Sequence, residues 1–231
     1  MNLSIYQKKL LNILIRDEKR TNQDLYSSGP YWTEKTKKII SQLKDKGMKN
    51  FRGLYSGVGT SYCDNVPIDF RNEYSIGREK LYSFITKIHP FKKIFNEQVN
   101  FTENLYYKKL QFEKEKYQNN NIVNNLISNY KINDTVDFGC VQKFHKNENE
   151  YSFHYLELLN LHDKLTKYIK FNKINSLFEI GGGFGANIHL LIQNYSNIKK
   201  ILYLDIIPNL FVGTEYLRHF YGNSVIDYIA T

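Results

Sequence analysis

Apolar positions near the start of the chain recur at helical rather than strand spacing. In MNLSIYQKKLLNILIRDEKR, residues 1–20, a short apolar stretch from Leu10 to Ile15 is interrupted by Asn12. This predicts one amphipathic helix packed on a core. TNQDLYSSGP, residues 21–30, is polar and closes on Gly-Pro, which reads as a linker. Ile39, Ile40 and Leu43 then share a face of a helix that Thr33 can cap and that runs to about Lys46. Gly47 is placed to end it. Residues 48–65, with Gly53, Gly57 and Gly59, read as loop. A helical pattern over 78–89 stops at Pro90. A charged helix follows over 101–118, the asparagines 119–121 make a turn, and 122–130 predict one more short helix.

The pattern changes after residue 130. Asp134 to Val141 reads as strand or loop around Gly139. KNENE, 146–150, is polar and precedes a helical stretch, SFHYLELLNLHDKLTKYIKF, that Ser152 can cap. Leu156, Leu159, Leu161, Leu165 and Ile169 form its apolar stripe. Lys164, Lys167 and Lys170 lie towards its C-terminal end, where the helix dipole favours positive charge. Ser176 to Ile180 predicts a short buried strand. Gly181 to Gly185 make a turn, and Ala186 to Gln193 follow as a helix, apolar at Ile188, Leu190, Leu191 and Ile192. A polar NYSNIKK turn leads to a second apolar strand, Ile201 to Leu204, closed by Asp205. This is β-α-β, and a parallel pair joined by a right-handed crossover is expected. No internal repeat is visible. The expected organisation is a mainly helical N-terminal region over 1–140 and the start of an α/β unit over 141–231, divided near 130–150.

Composition narrows the chemistry. The chain has 231 residues, ordinary apolar and charged content, and no apolar run long enough to span a bilayer. The apolar stretch near the N-terminus is followed by dense charge and no small-residue cleavage site, so it is not an export signal. A cytoplasmic location is the expectation. Cys63 and Cys140 lie far apart, and the six histidines show no metal-ligand spacing. The net charge of +9 sits wholly in residues 1–130, which hold 22 Lys/Arg and 13 Asp/Glu; residues 131–231 hold 10 of each. A basic half can attract anions such as nucleotide sugars, lipid phosphates or nucleic acid. The glycine-rich half is neutral, and no specific nucleic-acid partner is expected.

SLFEIGGGFGANIHLLI, 176–192, carries the strongest signal. Glycines let a backbone pass close to a ligand, because no Cβ stands in the way. The helix behind them presents free N–H groups and a partial positive charge. Asp205, closing the second strand, is placed to take ribose hydroxyls. A nucleoside-bearing cofactor is therefore expected at the carboxyl ends of the strands. Gly181, Gly183 and Ala186 fit a dinucleotide pattern, GxGxxA. Gly181, Gly183 and Gly185 fit GxGxG, with Glu179 two residues ahead. A carboxylate repels a pyrophosphate and suits the amino group and sulfonium of S-adenosylmethionine, so Glu179 favours that cofactor over NAD.

FEIGGGFGANIHLLI and YLDIIPNLFVGTEYLRHFYG together resemble the bacterial sugar O-methyltransferases. These are S-adenosylmethionine-dependent enzymes with a Rossmann-like fold, associated with polysaccharide biosynthesis. The resemblance rests on Glu179, glycines 181, 182, 183 and 185, Asp205, Pro208 and the pair Tyr216-Leu217. YWTEKTKKIISQLKDKGMKNFRG, 31–53, also resembles that family's N-terminal region. The resemblance implies that Gly181, Gly183 and Gly185 pass beneath the methionine and ribose of the cofactor. It implies that Gly182 and Phe184 contact it through backbone, that Glu179 lies near its amino group, and that Asp205 takes the ribose hydroxyls. The acceptor would be a sugar, nucleotide sugar or glycan hydroxyl. No base is singled out among His154, Glu157, His162, Glu215 and His219. Trp32 is a candidate for stacking on a sugar.

The family's sheet is larger than this sequence supplies, since VIDYIA at 225–230 could at most start a third strand. The expected fold is thus a helical N-terminal region followed by the first βαβ portion of a Rossmann-like methyltransferase sheet, cut short. A fragment, a truncated gene or a sheet completed by a partner would each account for this. Little turnover by this chain alone is expected. Two other functions compete: a nicotinamide-dependent oxidoreductase, and a non-catalytic remnant or basic interaction module.

Overall fold

The first helix forms where Ser4 can close it. Ser4 Oγ accepts from the Gln7 N–H at 3.1 Å, and Gln7 Oε1 accepts from the Ser4 N–H at 2.9 Å. This capping box satisfies two backbone donors at the start of α1, Ile5–Glu18. Leu10, Leu11 and Leu14 form its buried face, as the amphipathic pattern predicts. The second helix, α2, spans Pro30–Lys46 and begins earlier than expected. Gly29 is its N-cap and Pro30 fills the first turn, where a missing N–H removes no helical bond. Thr33 therefore lies inside the first turn rather than capping it. Gly47 ends the helix as expected, at φ 69° with its N–H on the Leu43 carbonyl. A 3-10 turn, Phe51–Gly53, follows.

The computed structural model describes residues 3–19, 29–53, 121–132, 134–140, 143–146 and 149–229. The helices expected over 78–89 and 101–118, the loop over 54–65 and most of the 21–30 linker lie outside those residues. α3, Asn121–Asn129, buries Val123 and Leu126. Residues 134–140 are turns rather than a strand, with Gly139 at φ 73°. Lys146, Asn149 and Glu150 of the polar KNENE stretch, expected only to precede a helix, lie in two paired antiparallel strands, β1, Phe144–Lys146, and β2, Asn149–Tyr151.

α4, Phe153–Thr166, is shorter than its sequence pattern. Leu156 and Leu159 are buried, but Leu161, Leu165 and Ile169 are exposed. Ser152 occupies the N-cap position, yet its hydroxyl makes no cap bond; it accepts from Arg52 Nη2 instead.

The α/β unit then follows: β3, Ser176–Ile180; α5, Ala186–Asn194; β4, Lys200–Leu204; and α6, Ile207–Tyr221. The two strands are parallel, in register from Ser176 opposite Lys200 to Ile180 opposite Leu204. The described residues thus form a mixed α/β structure with six α-helices and a small parallel two-stranded sheet. Residues 225–229 add no strand.

Successive side chains of a strand point to opposite faces. Leu177, Glu179, Ile201 and Tyr203 turn inward and are half-buried. Phe178, Ile180, Leu202 and Leu204 turn outward and are 53%, 70%, 62% and 51% exposed. The expectation of buried strands holds on one face only, because the buried apolar layers lie on that side.

Those layers draw on both halves of the chain. Leu10 and Leu14 of α1 and Ile39 and Leu43 of α2 share one apolar cluster with Phe211, Val212 and Tyr216 of α6. Polar ties accompany the packing. Gln7 Nε2 donates to Glu215 Oε2 at 2.7 Å. Tyr6 and Arg218 both donate to the buried Asp227 carboxylate. Buried His189 of α5 bridges Asp134 at 3.0 Å and the Tyr221 hydroxyl at 2.9 Å. No helix among the described residues is long and apolar enough to cross a membrane.

Candidate functional site

The chain turns from β3 into α5 through five residues, of which three adopt left-handed backbone. Gly181, Gly183 and Gly185 have φ of 73°, 63° and 84°. Side chains other than glycine are strained there. The Gly181 N–H donates to the Leu204 carbonyl at 2.8 Å, which fastens the start of the loop to β4. The glycines have separate reasons to lack a side chain. A Cβ on Gly181 would stand in open space. A Cβ on Gly182 would fall 2.7 Å from Glu179 Oε1, and one on Gly185 would fall 3.1 Å from Leu217 Cγ. Gly181 therefore keeps a surface clear, Gly182 keeps Glu179 in place, and Gly185 lets α6 approach.

Phe184 is the loop's one large side chain and it is buried. Its ring lies 5.0 Å from Tyr216, 5.6 Å from Phe51 and 5.3 Å from His154. Tyr216 in turn shares a 2.6 Å hydroxyl contact with Tyr155, and Leu217 meets Gly185. The Tyr-Leu pair singled out in the sequence thus forms the floor under the loop.

The two acids stand at the carboxyl ends of the strands. Asp205 Oδ2 accepts from the Gly183 N–H at 2.8 Å. Its Oδ1 accepts from the Ile206 N–H at 2.7 Å and from Asn209 Nδ2 at 3.0 Å. Together with the Tyr203 side chain, these donors engage most of the carboxylate's acceptor capacity within the chain. Asp205 ties the loop to the first turn of α6. Glu179 is less committed: its Oε2 accepts from Asn187 Nδ2 at 3.1 Å.

Burial raises both carboxyls above their ordinary range. For Glu179 the Asn187 hydrogen bond opposes this, and the nearby Asp205 charge adds to it. For Asp205 the backbone donors of Gly183 and Ile206 oppose it. Among the described residues neither acid has a cationic partner within ion-pair distance. The arrangement is a partly desolvated, negatively charged pair beside a rigid backbone cradle. It can accept hydrogen bonds and cations, and it is unfavourable to phosphate.

Of the five ionisable candidates for a base, His154 has a ring contact with the loop. His162 is buried against Phe171 and bonded to the Tyr195 hydroxyl at 2.9 Å, and burial lowers its pKa. Glu215 accepts from Gln7 and from Arg218 at 2.7 Å. His219 stacks on Phe138 at 4.5 Å, and Glu157 is exposed. Trp32 lies half-buried in the first turn of α2. Four further residues support the loop: Asn187, Tyr203 and Asn209, none picked out from the sequence, and Arg52, which the sequence marked only as part of the Asn50-Phe51-Arg52 element in the 31–53 stretch. The Tyr203 hydroxyl donates to the Gly183 carbonyl. Two of the four carried a readable signal: Asn209 is one helical turn beyond Asp205, and Tyr203 is on the inward side of a strand alternation.

No protein-family model, no curated protein and no solved structure matches the chain.

Proposed function

We propose that this chain binds S-adenosylmethionine and belongs to an O-methyltransferase whose acceptor is a sugar hydroxyl, within polysaccharide or glycan biosynthesis. The observation that carries the reading is the pair Glu179 and Asp205. These acids flank a left-handed glycine turn and have no cation of their own among the described residues. A pyrophosphate beside two partly desolvated carboxylates would be repelled. A ligand with an ammonium and a sulfonium is favoured by the same field. The open space over Gly181 fits a group laid against the backbone.

When bound, the cofactor supplies a methyl group on a positively charged sulfur. The chain's own contribution is placement. Glu179, with spare acceptor capacity, holds the amino group. Asp205 accepts from a ribose hydroxyl while it keeps Gly183 in line. Gly181 and Gly183 present backbone without bulk. Holding the two reactants in line supplies much of the rate of such a displacement. The sugar class of the acceptor rests on the resemblance of 176–222 and 31–53 to the sugar O-methyltransferases.

Isothermal titration separates the readings. S-Adenosylhomocysteine is expected to bind saturably and NADH not to bind. NADH binding without adenosylhomocysteine binding would replace the reading with an oxidoreductase. Polyanion binding that falls steeply with salt, with neither cofactor bound, would replace it with a basic interaction module. Transfer of labelled methyl from S-adenosylmethionine to one member of a nucleotide-sugar panel tests the acceptor class.

A further inference from the structure

We infer that Arg52 is a positioning residue for the glycine loop: its buried guanidinium braces Phe184 and so holds the backbone on which the cofactor rests. The inference builds on the cofactor reading above. Arg52 is fully buried. Its Nη1 donates to the Thr135 carbonyl at 2.6 Å, its Nη2 donates to Ser152 Oγ, and its backbone N–H donates to the Gly139 carbonyl at 3.1 Å. Its guanidinium carbon lies 5.0 Å from the centre of the Phe184 ring and 5.6 Å from that of Tyr155.

The geometry explains why an arginine stands here. Two hydrogen bonds to different segments fix the plane of the guanidinium, and the ring of Phe184 then packs against a surface that cannot rotate away. A lysine ammonium could not make that planar fork and stack at once. The neighbouring Phe51 reinforces the wall: it is fully buried, and it lies so close to Gly139 that a Cβ there would fall 2.1 Å from its ring.

Gly183 and Phe184 are thus held from opposite sides. On the sheet side, Asp205 takes the N–H of Gly183 and Tyr203 binds its carbonyl. On the core side, Arg52, Phe51, Tyr155 and Tyr216 surround the Phe184 ring. Phe184 stands between two glycines whose backbone has the widest choice of conformation, so contacts to their backbone and to the Phe184 ring fix the path of the loop. Removing the core-side brace should therefore loosen Gly183 to Gly185 without touching the cofactor. The 51–52 segment, remote in sequence from the βαβ unit, is part of the site's construction.

The test compares Arg52→Met and Arg52→Lys with Leu14→Ala, a destabilising control in α1. The readouts are adenosylhomocysteine affinity and amide hydrogen exchange at 183–185. For Arg52→Met, affinity is expected to fall at least about tenfold and loop exchange to rise at least about tenfold beyond the α1 amides, with Arg52→Lys intermediate. Leu14→Ala should lower the melting temperature and leave affinity within about twofold. Arg52→Met matching Leu14→Ala in both readouts would overturn the inference. If Arg52→Met does not fold, Ser152→Ala removes one guanidinium partner and should give the same pattern at about threefold; no change in loop exchange there would also overturn it. If the wild-type chain binds no adenosylhomocysteine, the cofactor reading fails, and loop exchange alone still decides the role of Arg52.

Discussion

Gly182 and Gly185 sit three residues apart in one loop, and alanine at each should have opposite consequences. At Gly182 the methyl meets the end of the Glu179 side chain, 2.7 Å from Oε1, which can swing away. Gly182→Ala should leave stability within about 0.5 kcal/mol of wild type while displacing the carboxylate that holds the cofactor. At Gly185 the methyl meets Leu217 at 3.1 Å on left-handed backbone. Gly185→Ala should cost about 1–2 kcal/mol in chemical denaturation. If Gly182→Ala binds normally, Glu179 is not the ligand we assign.

The acids themselves predict a pH dependence with a definite sign. Burial raises both carboxyls, so the folded chain keeps protons that the unfolded chain has released. Their contribution to stability is therefore greatest at low pH. It falls as pH rises from the ordinary carboxylate range through the raised folded values, then levels off. A cationic ligand prefers the ionised acids, so its affinity should climb over that same window with release of protons. Calorimetry of S-adenosylmethionine binding at about pH 5 in two buffers of different ionisation enthalpy should show that release, and Glu179→Gln should reduce it. Affinity that is flat with pH would contradict the charged-pair account.

At the scale of elements, the βαβ unit was legible and the parts that brace it were not. Ser176–Ile180 and Lys200–Leu204 are largely apolar runs of strand length, followed by glycines and by Asp205, so type and order could be read, with the second strand starting one residue before the expected Ile201. The start of α2 could not, because Pro30 after Gly29 looked like the close of a linker when it was the first helical turn. The β1–β2 pair hid around the polar KNENE stretch, because three-residue strands are too short to show an alternation. Arg52 hid for another reason: arginine is rarely buried, and nothing local marks one whose partners come from residues 135, 152 and 184.

The same scale holds the tie between α1 and α6. Asp227 is almost fully buried and receives both Tyr6 and Arg218. Asp227→Ala removes the acceptor of Tyr6, of Arg218 and of the Ile229 N–H at once. It should cost about 2 kcal/mol in urea unfolding while leaving the glycine loop intact. A cost near zero would mean that apolar packing and the Gln7–Glu215 hydrogen bond hold these helices together.

For the molecule as a whole, the open side of the sheet is the feature with the largest physical consequence. Phe178, Ile180, Leu202 and Leu204 make a contiguous apolar surface on a parallel pair, whereas parallel sheets are ordinarily covered on both faces. Such a surface should bind an apolar reporter dye such as anilinonaphthalene sulfonate. Ile180→Lys combined with Leu202→Lys should cut the dye signal by about half or more with little loss of stability, because both side chains already face solvent. Unchanged dye binding would place the apolar surface elsewhere.

The central claim is that a glycine cradle flanked by two acids holds a cationic nucleoside cofactor. It is tested most directly by calorimetric titration of S-adenosylmethionine into the wild-type chain and into Glu179→Gln. The account predicts saturable one-site binding to the wild type, weakened about tenfold or more when the charge at residue 179 is removed. Equal affinity for both chains, or no binding to either, would contradict it.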